Sequence, residues 1–349
     1  MSKKYKITLV GHFADGKDFN DGQTVKTKNL YKALSTQYGS DSIKRVDTCG
    51  FKSKIVPFIL ENIKSFAKSR NTIILPAHNG VKVFVPFFSF LKLFFKTKLN
   101  YAVVGGWLPQ FLNEHKLICK MLKKFDGIYV ETCSMKSNLD AMGFANVYML
   151  PNFKYLTPLD EDELVYNENT PHSLCIFSRI MQEKGVEDAI EIVKQINDQA
   201  GKTIFTLDLF GPVDDGYKER FEEVKLNMPE YVSYKGVIDS EKSVDAIKNY
   251  FALLFPTKFY TEGIPGTIID AYAAGVPVIS ARWQSFNDVV DDHVTGIGYE
   301  FNNIDDLKQK LMDIAKCTEC INALKLNCLR KSKQFLPNEA IKIIIEQLL

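Results

Sequence analysis

Glu262 and Asp270 stand eight positions apart across a Gly/Pro turn, in the stretch TEGIPGTIIDAYAAGVPVI over Thr261 to Ile279. Pro265 has no N–H and a fixed φ, which suits a first helical turn. A helix is therefore predicted from about Gly266 to Ala274, stopped by Gly275, with a short buried strand over Val276 to Ser280 behind it. The free N–H groups at the helix start, beside Glu262 to Thr267, carry the positive end of the helix dipole and make an anion site. Gly263 and Gly266 let the backbone approach a ligand closely. Glu262 can accept hydrogen bonds from sugar hydroxyls, and Asp270, about one turn into the helix, can reach a ribose. The order suits a negatively charged, hydroxyl-rich ligand such as a sugar nucleotide. The turn chemistry alone fits an ordinary helix–strand unit equally well.

Other residues of the right type fall at strand ends. Arg179 and Lys184, in SRIMQEKG after a predicted strand at Ser173–Phe177, can grip a diphosphate and stabilise it as a leaving group. Gly211 turns the chain after Phe205–Phe210, and Val237 lies in a loop that can cover a base. In the first half, Gly22 precedes a helix in DGQT, His78 follows a strand in LPAHNG, and Gly106 lies at another strand end in GGW. A G-x-S-x-G elbow, a G-x-x-x-x-G-K-[ST] loop and an H-E-x-x-H pair are all missing from the sequence. Asp160-Glu161-Asp162 spells a D-x-D string, read as solvated charge in an acidic stretch.

Strands and helices alternate along the 349 residues, as in a layered α/β protein. Strands are predicted at Ile7–Val10, Thr72–Leu75, Tyr101–Val104, Gly127–Val130 and Val147–Leu150, in one parallel sheet whose strand C-terminal ends bind ligands. The polar stretch 152–172 reads as a linker. The pattern then restarts, with strands at Ser173–Phe177, Phe205–Phe210, Val232–Lys235 and Ala252–Phe255, and a last helix runs over Ala340–Leu349.

The net charge of +2 hides an asymmetry: residues 1–155 carry 24 Lys and Arg against 10 Asp and Glu, a net of +14, and the remainder carries 20 against 32, a net of −12. A basic half suggests an anionic partner. Val81–Leu99 holds six phenylalanines and four lysines. It is too short and charged to span a bilayer, but its lysines can meet anionic headgroups while its aromatics dip into the interface. The other reading is a buried helix with lysine stems reaching outward. Met1–Lys6 leads straight into a strand, so no signal peptide is expected. Seven cysteines fit a reducing compartment, and the Cys317/Cys320 pair lacks the partners of a zinc site.

Together these segments resemble glycosyltransferase family 4, retaining enzymes of the GT-B fold that include bacterial capsular and exopolysaccharide transferases. FSRIMQEKGVEDAIE is similar to that family's G-R-x-x-x-x-K-G segment, LFGPV to its G-x-G/P turn, VSYKGVIDSEKSVDAIKNYFALLFPT to the segment before its buried strand, and TEGIPGTIIDAYAAGVPVI to its E-x7-E motif. The resemblance is strong over roughly 130–300 and weaker before it. It implies an α/β protein of two Rossmann-like parallel-sheet domains with an interdomain cleft: a basic, membrane-facing acceptor domain over 1–155, a donor domain over 156–335, and a helix over 336–349 packing back on the first.

Carried over, the match implies that Arg179 and Lys184 contact the donor diphosphate, Glu262 a hydroxyl of the donor sugar, and Asp270 the ribose. Backbone N–H groups of Gly266, Thr267 and Ile268 contact phosphate or sugar, and Gly22 faces the donor. Three departures stand out. Asp270 replaces the usual Glu, Gly22 stands where a Gly pair is common, and Gly105-Gly106-Trp107 occupies the strand end where many members place a His, for which His78 is a partial substitute. The implied activity is retaining transfer from a nucleotide sugar, a UDP-sugar, to a lipid-linked or saccharide acceptor in cell-surface polysaccharide assembly, with no metal or other cofactor and no nucleic acid partner. The implied setting is cytoplasmic, peripheral at the inner face of the cell membrane, with 81–99 on its anionic surface. A UDP-sugar epimerase of the same fold and a non-catalytic sugar-nucleotide-binding partner subunit are the alternatives.

Overall fold

The computed structural model describes residues 4–16 and 21–348. Met1 to Lys3, part of the Met1–Lys6 stretch read as leading into the first strand, and Leu349, the end of the last predicted helix, lie outside it. The chain divides into two compact units, residues 1–154 with 337–349 and residues 155–336.

Unit 1 is built on six parallel strands, β1 (Tyr5–Gly11), β2 (Ile43–Asp47), β3 (Ser69–Ile74), β4 (Lys98–Ala102), β5 (Gly127–Val130) and β6 (Val147–Met149), in the order β2-β1-β3-β4-β5-β6. In register, Ile7 of β1 lies between Ile43 and Asn71. Parallel neighbours need crossovers, supplied by α1 (Gly22–Tyr38), α2 (Ile55–Lys68), α3 (His78–Lys92), α4 (Leu108–Glu114), α5 (Lys116–Leu122) and α6 (Cys133–Ala141). Right-handed crossing puts α2 and α3 on one face of the sheet. They pack there side by side, with Phe58 6.0 Å from Phe84 and Phe66 5.7 Å from Phe88 between ring centroids. The last helix, Lys342–Leu348, docks on this unit through Asn71 Nδ2, which donates to Leu348 O at 3.1 Å.

Residues 81–99 form most of α3 and the start of β4. Val81, Phe84, Val85, Phe88 and Leu91 turn into the core, whereas Phe90, Leu93 and Phe94 stay exposed. Each such buried side chain contributes about 1.5–3 kcal/mol. Lys92 Nζ reaches Asp126 Oδ2 at 2.6 Å. Among the described residues, no helix is long and apolar enough to cross a membrane.

An ion pair sits inside unit 1. Lys26 of α1 meets Glu131 just after β5, 2.5 Å apart and both almost fully buried. Lys26 Nζ also donates to Val103 O at 2.7 Å, and Glu131 Oε1 accepts from Gly105 N at 3.4 Å. Burial pushes the Lys26 ammonium below its ordinary pKa, and the Glu131 charge opposes that shift. The pair thus holds the turn that carries Gly106.

Unit 2 repeats the plan with β7 (His172–Phe177), β8 (Phe205–Phe210), β9 (Val232–Gly236), β10 (Ala252–Phe255), β11 (Val278–Ala281) and β12 (Gly296–Tyr299), in the order β12-β11-β10-β7-β8-β9, again all parallel. Helix α7 (Val186–Ala200) and the helix Ile304–Lys316 bury Ile192, Val193 and Leu311 in one core cluster. A second cluster gathers around α10 (Gly266–Ala273), once α8 (Lys218–Leu226) and α9 (Ser243–Ile247) have been passed, and includes Ile268, Tyr272 and Ile247.

Two expectations are corrected here. The stretch 152–172 is less a linker than a strap. Leu159 and Leu164 are buried in the second cluster, Leu159 N donates to Ala273 O at 2.9 Å, and Asp160 and Glu163 cap a short helical turn. Cys317 and Cys320, taken as reduced thiols, are joined by a disulfide. Their i,i+3 spacing at a helix junction sets the Cα atoms 5.4 Å apart, within disulfide reach.

Replacing Glu131 by Ala strands a buried ammonium and should cost about 3–5 kcal/mol of unfolding free energy. Adding Lys26→Met should restore most of it. Chemical denaturation of the two variants checks this, and a loss under about 1 kcal/mol from Glu131→Ala would refute it.

Candidate active site

In unit 2 the strand order turns between β7 and β10, where helices leave toward opposite faces of the sheet. Open parallel sheets bind ligands at such a point, outside the strand C-terminal ends. The loops leaving these two strands carry Arg179 and Lys184 on one side and Glu262 on the other.

The loops are pressed together. Gly185 has φ +70°, and a Cβ there would sit 2.0 Å from Pro256 O. Lys258 N donates to Glu183 O at 2.8 Å. Gly211 plays the same part after β8, with φ +133° and a would-be Cβ 1.9 Å from Ser178 O. Only glycine fits either place.

This contact brings Lys184 and Glu262 into a direct ion pair, their side chains 17% and 18% exposed. Thr257 Oγ1 donates to Glu262 Oε1 at 3.1 Å. The Lys184 ammonium also lies over the rings of Phe255, at 5.4 Å, and Phe259, at 5.1 Å, each a favourable cation–π contact. Arg179, on the same loop, points to Asp214 at 3.4 Å and is more exposed. Gly263 and Ile264 are buried as the chain enters α10, and no side chain caps that helix after Pro265. The hydroxyl of Thr267 is buried there with no hydrogen-bond partner among the described residues. Val237, just past β9, is exposed.

Two charges balanced on a partly covered ledge, beside an uncapped helix start and an unmet hydroxyl, suit an anionic ligand with hydroxyl groups. Residues 161–328 match the family model of glycosyl transferases group 1. The matched stretch falls within unit 2. An uncharacterised glycosyltransferase from Methanocaldococcus jannaschii is 27% identical over 179 residues, 50% of this chain and 46% of that protein, so the match spans about half of the relative's length. HepE from Anabaena, solved with UDP and glucose, superimposes with a TM-score of 0.72 at 14% identity over 98% of each chain. Sucrose-phosphate synthase from Thermosynechococcus elongatus gives 0.76 at 15% identity, over 98% of this chain and 97% of that one. The fold is the two-domain Rossmann-like α/β fold of GT-B proteins.

Not every residue singled out joins this ledge. Asp270 is 1% exposed and accepts from Ser243 Oγ at 2.8 Å, so the carboxylate expected at a ribose is engaged inside unit 2. Gly22, His78 and Gly106 belong to unit 1, also at strand C-terminal ends. Gly22 opens α1 behind its cap Asp21, and a Cβ there would meet nothing within 4 Å. His78 is exposed and lies edge-on to Trp107, 4.9 Å between ring centroids, so it does adjoin the Gly106 turn. Among the described residues no group of three or more His, Cys, Asp or Glu is placed to hold a metal.

Sequence reasoning missed Thr257, Phe255 and Phe259 as supports of the Lys184–Glu262 pair. The FPT string that ends β10 was the available signal. It also missed Trp107 as the neighbour of His78.

Gly185→Ala must force Pro256 away and should cost about 3 kcal/mol, the upper end of ordinary single substitutions. Thermal or urea denaturation measures it, and a change within about 0.5 kcal/mol would contradict the tight loop contact.

Proposed function

We propose that the chain is a retaining glycosyltransferase that moves a sugar from a UDP-sugar to a lipid-linked or saccharide acceptor in cell-surface polysaccharide assembly. The observation that carries this reading is the Lys184–Glu262 pair at the β7/β10 turning point, beside the uncapped start of α10. The group 1 match and the UDP and glucose held by HepE support it.

In this reading the diphosphate draws Lys184 off Glu262, and Arg179 swings from Asp214 to join it. The N–H groups of Gly266, Thr267 and Ile268 face the same anion. Glu262, released, accepts from hydroxyls of the donor sugar beside Gly263. Gly211 and Val237 border the base, Asp270 serves the ribose once it leaves Ser243, and Gly22 contacts the donor. The acceptor binds unit 1 on the side of His78 and Gly106. The acceptor oxygen attacks the anomeric carbon from the face the diphosphate leaves. The bond from that carbon to the diphosphate breaks, and the acceptor proton passes to the departing phosphate oxygen. Lys184 and Arg179 neutralise the charge that develops there, so the step needs no metal or cofactor. The basic first unit, with the exposed Phe90 and Phe94 of residues 81–99, works against an anionic membrane surface at the cytoplasmic inner face.

Lys184→Ala and Glu262→Ala should each lower turnover at least about 10²-fold, the scale of one lost transition-state contact. Near-normal turnover in both would sink the assignment. A thermal-shift screen of nucleotide sugars identifies the donor, because a ligand of the native state raises the melting temperature. Conversion of the donor with no acceptor present would favour the epimerase, and binding with no transfer to any lipid extract the partner subunit.

A further inference from the structure

Helix α2 is packed against its own chemistry. Its buried side chains include Asn62 and Ser65, together with Phe66. Its outward side chains include Ile55, Val56, Ile59 and Leu60, which are 52%, 66%, 37% and 52% exposed. An amphipathic helix of a globular protein turns its apolar stripe inward, and adjoining exposed aliphatics mark an interaction surface.

Apart from Glu61, the charges beside this stripe are positive. Lys64 and Lys68 follow one and two turns after Leu60, are exposed, and make no ion pair among the described residues. A groove of about 450 Å³ runs between this side of α2 and the edge of the sheet, lined by Pro57, Leu60, Lys64 and Lys68 of the helix and Lys44 of β2. Its one carboxylate, Glu61, is paired with Lys44 at 2.7 Å. The groove therefore has two lysines left for an anion and an apolar wall beside them.

We propose that α2 is a membrane-docking element of this protein: Ile55, Val56, Ile59 and Leu60 enter the interface of an anionic bilayer, and a lipid phosphate sits in the groove between Lys64 and Lys68. A convex stripe of aliphatic side chains with lysines one to two turns away matches the boundary between acyl chains and headgroups. The apolar turns of α2 follow the C-terminal end of β2, the sheet edge that also holds His78 and Gly106. A lipid-linked acceptor would thus arrive beside those residues. The exposed Leu93 and Phe94 lie past the far end of α3, at the opposite edge. The purpose of the docking rests on the acceptor reading above, but vesicle binding is measured without donor or acceptor, so the two stand or fall separately.

The test is co-sedimentation of the full chain with vesicles of phosphatidylcholine, with and without phosphatidylglycerol. The wild type should bind the anionic vesicles, and raised salt should weaken the binding. Lys64→Glu with Lys68→Glu should lower it at least about tenfold. The set Ile55→Gln, Val56→Gln, Ile59→Gln and Leu60→Gln, which keeps good helix formers at exposed sites, should do the same at low salt, with an unchanged circular dichroism spectrum and donor binding. Lack of binding by the wild type would overturn the proposal. So would α2 variants that bind like the wild type, or a wild-type dimer, seen by sedimentation, that the glutamine set dissolves while no vesicle binding occurs.

Discussion

A missing methyl group governs the candidate site. Gly185 lies so close to the carbonyl of Pro256 that a Cβ would overlap it. This lets the loop after β7 lie directly on the loop after β10. Parallel sheets put both loops at one edge, but adjacent strands do not by themselves bring side chains into contact. The glycine does, and the Glu183–Lys258 backbone bond fastens the result. Lys184 is the residue just before that glycine, so the backbone brings its side chain within reach of Glu262. Gly211 repeats the device against Ser178 and ties in the loop after β8. Three strand ends are held in one rigid ledge by two residues that contribute no side chain.

The pair on that ledge is neither a surface ion pair nor a buried one. A fully exposed pair is worth little and orders nothing, and a fully buried pair would be too costly to open. With less than a fifth of each side chain exposed, Lys184 and Glu262 are held but exchangeable. The rings of Phe255 and Phe259 keep the ammonium in place when its carboxylate partner changes, and Thr257 keeps a hydrogen bond on Glu262. The interior pair of Lys26 and Glu131 is the contrast: it is sealed, and it serves the shape of the Gly105 turn.

Much of this was legible in the sequence. The first, third, fourth, fifth and sixth strands of unit 1 read correctly because central parallel strands are short apolar runs bounded by turns. The start of α10 was legible because Pro265 and Gly275 punctuate it. β2 and α2 were not. β2 is an edge strand whose IKRVD alternates polar with apolar, too short and charged to stand out. α2 hides because Ile55, Val56, Ile59 and Leu60 lie outward while Asn62 and Ser65 are buried beside Phe66, which blurs the contrast between its apolar and polar faces. The partners of known residues were also invisible: Glu131 lies 105 positions from Lys26, and Ser243 lies 27 positions from Asp270. The chain order that names a carboxylate does not say what it will bond. The E-x7-E spacing singles out Asp270 but carries no sign of the Ser243 hydroxyl that bonds it in this fold.

The charge asymmetry of the first half gains a physical meaning in the structure. Seven of its ten carboxylates are committed to structure. Asp21 caps α1, and Asp47 accepts the backbone N–H groups of Phe13, Ala14, Asp15 and Cys49. Asp15, Glu61, Asp126, Glu131 and Asp140 each hold one cation. The surplus lysines cannot all be paired, and they remain on the surface as an uncancelled field. Such a field has no role in specifying the fold, and it destabilises the compact state by self-repulsion. Lys64 and Lys68 belong to this surplus and sit beside the aliphatic side chains that α2 turns outward, and the docking proposed for α2 uses both features: the field would draw an anionic surface from a distance, and the apolar stripe would hold it on contact.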